Sequence, residues 1–86
     1  MQVLKVEDDI RLAQALGQIL EENHYQVDLV HDGNQGLAYA ESGSYDVIIL
    51  DVMLPRKSGL EVVAELRRAN VATPVLMLTA RTTVQD

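Results

Sequence analysis

Cysteine is absent from the 86-residue chain, which excludes disulfides and thiolate metal sites and is compatible with an intracellular protein. Tryptophan and phenylalanine are absent too, and tyrosine supplies the whole 3% aromatic content. Any core must be aliphatic, built from Val, Leu, Ile, Ala and Met. No apolar run approaches the ~18 residues of a membrane helix. The opening MQVLKVEDD turns acidic too soon for a secretory signal, so the expected compartment is the cytoplasm and no membrane partner is expected. Positive charge is scarce: 7 Lys and Arg stand against 13 Asp and Glu, for a net charge of −6. That balance disfavours direct contact with nucleic acid, whose phosphates need Lys and Arg. Acidic groups that converge would instead attract a divalent cation. At this length the chain is one small domain or a piece of one, able to bury roughly 60–65% of its unfolded surface.

What is present alternates between short apolar runs and helical periods, with no repeat and no low-complexity tract. Gln2–Val6 reads as a strand. Ile10, Ala13, Leu16 and Leu20, with Leu12 and Ile19, recur at three and four residues and predict an amphipathic helix. Tyr25–Val30 alternates strictly, with Tyr25, Val27 and Leu29 on one face of a second strand. Asp32, Gly33 and Asn34 open a second helix that ends near Gly43. Tyr45–Leu50 is a third strand. Ser58 starts a third helix, with Glu61 at the spacing of a capping box and Leu60, Val63 and Leu66 assigned to its inner face. Thr73-Pro74 breaks the chain before a fourth strand, Val75–Leu78.

Strands separated by helices of this length pair in parallel through right-handed crossovers. The third and fourth strands are apolar on both faces, as strands covered by helices on both sides must be, whereas the second alternates like an edge. The expectation is an α/β fold with helices on both faces of a parallel sheet in spatial order 2-1-3-4. Lys5 resists this pattern, because it lies within a central strand where a lysine is costly unless paired or able to snorkel.

In an open parallel sheet, sites form outside the carboxyl ends of the strands. The first strand runs into Glu7, Asp8 and Asp9, the third into Asp51 and the fourth into Thr79. Neighbouring strands lie only ~4.8 Å apart, so these residues should converge, with Asp51 the first residue beyond the sheet. Clustered carboxylates repel one another, and a hard divalent cation relieves the repulsion. Magnesium fits best: it takes oxygen ligands, keeps several waters and shares phosphate oxygens. A backbone carbonyl just after Asp51 and the Thr79 hydroxyl complete a set suited to phosphoryl transfer, with a carboxylate as nucleophile.

Taken singly, these residues have plainer explanations. An aspartate after a strand is usually a turn residue, and acids before a helix usually serve its cap and dipole. Asp9 is assigned to that capping role. His24 and His31 are read as surface residues, and Arg56 and Lys57 as a solvated loop. Agreement across three strand ends is what favours a site, because helix capping does not require it.

VLKVEDD (Val3–Asp9), DVIILDVMLPRKSGLEVVAELR (Asp46–Arg67) and TPVLMLTAR (Thr73–Arg81) together resemble the receiver domain of bacterial two-component response regulators, most like the OmpR/PhoB subfamily with its C-terminal winged-helix DNA-binding domain. The resemblance covers essentially the whole chain. It implies a flavodoxin-like fold and phosphorylation by a sensor histidine kinase, switching a transcription-factor output. It matches the phosphoacceptor to Asp51 and the acidic pair to Glu7 and Asp8, with Asp8 the more direct magnesium ligand. It matches the carbonyl ligand to Met53, the switch hydroxyl to Thr79, and the backbone N–H donor to the phosphoryl group to Ala80. The domain is signalling machinery with self-phosphorylation and self-dephosphorylation chemistry, not a turnover enzyme.

Two departures stand out. Lys5 occupies a position that is usually aliphatic. Residues 1–86 also correspond to the domain only from its first strand to the start of its fourth helix, without the fifth strand and its lysine. DNA contact is then expected only through a C-terminal domain absent here. The uncovered fourth strand predicts a homodimer or a segment-swapped oligomer. Two other functions compete. An aspartyl-phosphate phosphatase would want a second acid where Met53 stands. A non-catalytic interaction module would keep the fold and lose the chemistry.

Overall fold

Three short polar side chains set where the helices begin. In the computed structural model, which describes residues 1–78, Asp9 accepts the Leu12 backbone N–H at 3.1 Å and Asp32 accepts that of Gln35 at 2.8 Å. Ser58 accepts the Glu61 N–H at 3.2 Å, while the Glu61 carboxylate takes the Ser58 N–H at 3.0 Å. Each contact satisfies a donor that the helix itself leaves without a partner. The elements are β1 (Gln2–Val6), α1 (Ile10–Glu22), β2 (Gln26–Val30), α2 (Gly33–Ser42), β3 (Val47–Asp51), α3 (Gly59–Arg68) and β4 (Val75–Leu78). His24 and Asn70, just past α1 and α3, have φ of 71° and 63°, the left-handed conformation that commonly ends a helix.

The four strands form one parallel sheet in the order β2-β1-β3-β4, as the sequence predicts. Register places Val6 beside Leu50 and Val30, and Asp51 beside Leu78. Asp51 is thus the last residue of β3 rather than the first beyond it.

On one face of the sheet, Leu4, Val6, Ile48 and Leu50 pack with Ala40 of α2 and with Val62 and Leu66 of α3. Each large side chain buried this way contributes about 1.5–3 kcal/mol. Side chains alternate along a strand, so Lys5 and Ile49 point to the opposite face. That face carries α1, which buries Ala13 and Gly17 over β1 and β2.

Three apolar assignments differ from the sequence expectation. Ile10, Leu12 and Ile19 of α1 are 48%, 46% and 54% exposed, because the helix seats its small residues on the sheet and leaves the larger ones at its flanks. On α3 the inner face is Gly59, Val62 and Leu66; Leu60 lies roughly 200° of helical turn from Val62 and is exposed, and Val63 is only half-buried. In β4, Val75 and Met77 pack against the core, but Leu76 and Leu78 are open on the other side among the described residues. β2 alternates as expected, while Tyr25 precedes it and is exposed.

Candidate functional site

Because β1 and β3 are parallel neighbours, the residues that leave their carboxyl ends emerge side by side. Glu7 follows Val6 and is anchored by its backbone N–H to the Val30 carbonyl at 2.9 Å. Asp51 ends β3. Glu7, Asp8 and Asp51 each present a carboxylate oxygen, and these oxygens lie within 4.8 Å of one another. Glu7 is buried, Asp8 exposed and Asp51 between the two. They open onto a cleft of roughly 340 Å³ that Met53 and Leu78 also line. Asp9 stands at its rim with its carboxylate spent on the α1 cap, as its sequence position implied, while its N–H donates to Glu7 Oε2 at 3.2 Å.

Lys5 belongs to this group. Its side chain is 1% exposed, and Nζ lies 3.2 Å from Glu7 Oε1, 3.6 Å from Asp51 Oδ1 and 3.4 Å from the Val6 carbonyl oxygen. The lysine that looked misplaced in a central strand is a paired ion at the base of the acidic cluster. It does not snorkel to solvent.

The electrostatics of the two inner carboxyls diverge. Burial pushes Asp51 up from the ordinary aspartate value; its hydrogen bond with Glu7 and repulsion from Glu7 and Asp8 add to this, against the pull of Lys5. Burial acts upward on Glu7 as well, but the Asp9 N–H, the hydrogen bond with Asp51 and the Lys5 ammonium together hold it below the usual glutamate value.

The segment after Asp51 is strapped from several sides. Val52 donates to the Leu78 carbonyl at 2.8 Å, and Gly59 donates back to the Val52 carbonyl at 2.8 Å. Lys57 donates to the Pro55 carbonyl at 2.8 Å around Arg56, whose φ is 73°. Gly33, at the start of α2, donates to the same Pro55 oxygen at 3.1 Å, and a Cβ on Gly33 would overlap the Lys57 carbonyl. The exposed Arg56 guanidinium reaches Asp32 at 3.5 Å, and Lys57 pairs with Glu65 of α3. Arg56 is solvated as expected, while Lys57 is half-buried and paired, and backbone hydrogen bonds hold the loop.

His31 also departs from its surface reading. It is half-buried, and its Nδ1 lies 2.9 Å from the Glu7 carbonyl oxygen, bracing the turn that carries the acidic pair. The signal that would have found it is its place just past the carboxyl end of β2, on the same sheet edge as Glu7 and Asp51. His24 is exposed, as expected. Thr79 and Ala80 lie outside the described residues; Leu78, the residue before them, borders the cleft.

Comparisons with known proteins agree with this geometry. Residues 3–86 match the family described as the response regulator receiver domain. The chain is 43% identical over its full length to the transcriptional regulatory protein DltR of Streptococcus agalactiae serotype III (strain NEM316), and spans 38% of that protein. It is 48% identical over its full length to the transcriptional regulatory protein TcrA of Mycobacterium tuberculosis (strain ATCC 25618 / H37Rv), and spans 34% of it. Among solved structures, it superimposes with a TM-score of 0.90 and 32% identity on the receiver domain of the sensor histidine kinase PA1611 from Pseudomonas aeruginosa PAO1. That match covers 99% of this chain and 71% of the other, which was solved with a magnesium ion coordinated in its active-site cleft. The carboxylate cluster at the carboxyl edge of a 2-1-3-4 parallel sheet, and the match over residues 3–86, make this chain a member of the response regulator receiver domain family.

Proposed function

We propose that the chain is a phosphoacceptor domain in which Asp51 takes a phosphoryl group from a phosphohistidine of a sensor kinase. The observation that carries this reading is the convergence of Glu7, Asp8 and Asp51 within 4.8 Å at the floor of an open cleft. A carboxylate oxygen of Asp51 forms the new O–P bond. The P–N bond of the donor breaks, and its electron pair returns to the imidazole nitrogen, which is protonated. Attack of water on the aspartyl phosphate later releases phosphate and restores the carboxylate. The domain is consumed and regenerated by the signal, and is not a turnover enzyme.

The donor set suits Mg²⁺: it is all oxygen, converges on one point and includes the solvent-facing Asp8. Glu7, Asp8, Asp51 and the Met53 backbone carbonyl would hold the ion. When bound, it supplies positive charge that neutralises the phosphoryl oxygens. Glu7 stands beside Asp51 in the cluster and is itself paired with Lys5 at 3.2 Å. The resemblance to the receiver family assigns Thr79 and Ala80 the hydroxyl and backbone N–H contacts to the phosphoryl group.

The transcriptional regulatory proteins DltR and TcrA support an output in transcription; the resemblance to the OmpR/PhoB subfamily adds a separate DNA-binding domain to that reading. No helix among the described residues is long and apolar enough to cross a membrane. Leu76 and Leu78, exposed among the described residues, are apolar surface that a homodimer or a segment-swapped partner would cover. The test of the phosphoacceptor is incubation with magnesium and acetyl phosphate, followed by mass spectrometric mapping. A single phosphoryl group on Asp51, absent in Asp51→Asn, is the expected result; unchanged labelling of the variant refutes the assignment.

A further inference from the structure

We propose that Lys5 is an internal counter-ion of the acidic cluster, one that holds Glu7 and Asp51 together and weakens the site's affinity for divalent cations. The inference rests on the magnesium-binding reading of the same cluster.

Among the described residues, the ammonium's charged partners both belong to the acidic cluster. Lys5 stands in register between Leu29 of β2 and Ile49 of β3. Its stem lies against an apolar pocket of about 190 Å³ bordered by Leu16, Leu20 and Ile49, with no polar lining. A lysine buried to this degree is costly unless its charge is met. Its charged partners are Glu7 Oε1 at 3.2 Å and Asp51 Oδ1 at 3.6 Å, with the Val6 carbonyl oxygen at 3.4 Å.

Lys5 is 1% exposed and does not line the cleft onto which Glu7 and Asp51 open. An ion in the cleft and the ammonium would therefore share the same two carboxylates. Three carboxylates and one ammonium carry −2; with an uncharged residue at position 5 the cluster carries −3. The lysine thus relieves part of the repulsion that a divalent cation would otherwise relieve alone. It also repels that cation: single and double positive charges about 6 Å apart change a binding constant by about tenfold even at the dielectric of bulk water. Lys5 is a positioning residue, acting through Glu7 and Asp51 rather than on a substrate.

The experiment compares the protein with its Lys5→Met variant, which keeps the length of the side chain and removes the charge. Magnesium is titrated by calorimetry, with manganese and water-proton relaxation as a second probe. The variant is expected to bind about tenfold more tightly, and to gain more in thermal midpoint at saturating magnesium. Lys5 as a mere packing element predicts the reverse, since a disturbed site binds less well. Equal or weaker binding by the variant, with Asp8-dependent binding in the unsubstituted protein, overturns the inference and leaves the magnesium reading standing. Binding by neither protein overturns both.

A second measurement needs no substitution, should Lys5→Met fail to fold. The Lys5 ammonium should give a slowly exchanging nitrogen-proton resonance in the metal-free protein that moves as magnesium is added. A Lys5 signal that exchanges like a solvated lysine, or stays fixed through the titration, overturns the proposal.

Discussion

Gly59 lies directly against the backbone carbonyl of Asp51: a Cβ at position 59 would overlap that oxygen, and would crowd Leu50 Cδ1 as well. The first residue of α3 is thereby docked on the last residue of β3. The bond from the Gly59 N–H to the Val52 carbonyl, at 2.8 Å, closes the same contact. The only residue without a side chain is needed here because of this approach.

Gly59→Ala should therefore push the Asp51 carbonyl and the start of α3 apart. Overpacking of this kind costs about 1–3 kcal/mol. The expected result is an unfolding free energy, measured by urea titration, lowered by that amount, with slower acetyl phosphate labelling of Asp51. Alanine here with unchanged stability and labelling would show that the loop absorbs the methyl group.

Asp8 and Asp9 should separate cleanly. Asp8 shares the oxygen cluster with Glu7 and Asp51, whereas Asp9 caps α1 through the Leu12 N–H. Asp8→Ala is expected to lose most magnesium affinity with little change in stability in the absence of metal. Asp9→Ala should keep magnesium binding and lose about 1 kcal/mol of stability. Paired magnesium titrations and thermal melts check both; loss of the metal in Asp9→Ala with retention in Asp8→Ala would reverse the roles.

Tyr45 provides a pH signature away from the cleft. Burial and its hydrogen bond to Asp28 Oδ2, at 2.6 Å, with the charge of Asp28 nearby, push its phenol up to about 12 from the ordinary 10. The folded state thus holds this proton more tightly than the unfolded chain. The stabilisation is fully present below pH 10 and is lost as pH rises from there through about 12. Ultraviolet titration of the phenolates should show one of the three tyrosines ionising late, and Tyr45→Phe should remove that late step. Asp28→Asn should bring the step back toward 10.

Much of the molecule was legible in the chain. Helix starts were readable because a cap is local: Asp9, Asp32 and Ser58 each act within three residues of themselves. Strand order followed from the contrast between the alternating β2 and the apolar runs of residues 47–50 in β3 and Val75–Leu78 in β4. The acidic site followed from parallel pairing, which brings strand ends to one edge whatever the loops do.

Tertiary structure alone decided the rest. Helical periodicity says which residues share a face, but not which part of that face meets the sheet. Thus α1 seats Ala13 and Gly17 while Ile10 and Ile19 stay exposed, and α3 buries Val62 in place of Leu60. Nor does a strand pattern show how far a long side chain reaches. Lys5 meets Asp51 across a neighbouring strand, and His31 meets the Glu7 carbonyl from 24 positions away. Both contacts depend on strand register and on side-chain direction in three dimensions, which a single chain's local pattern does not encode.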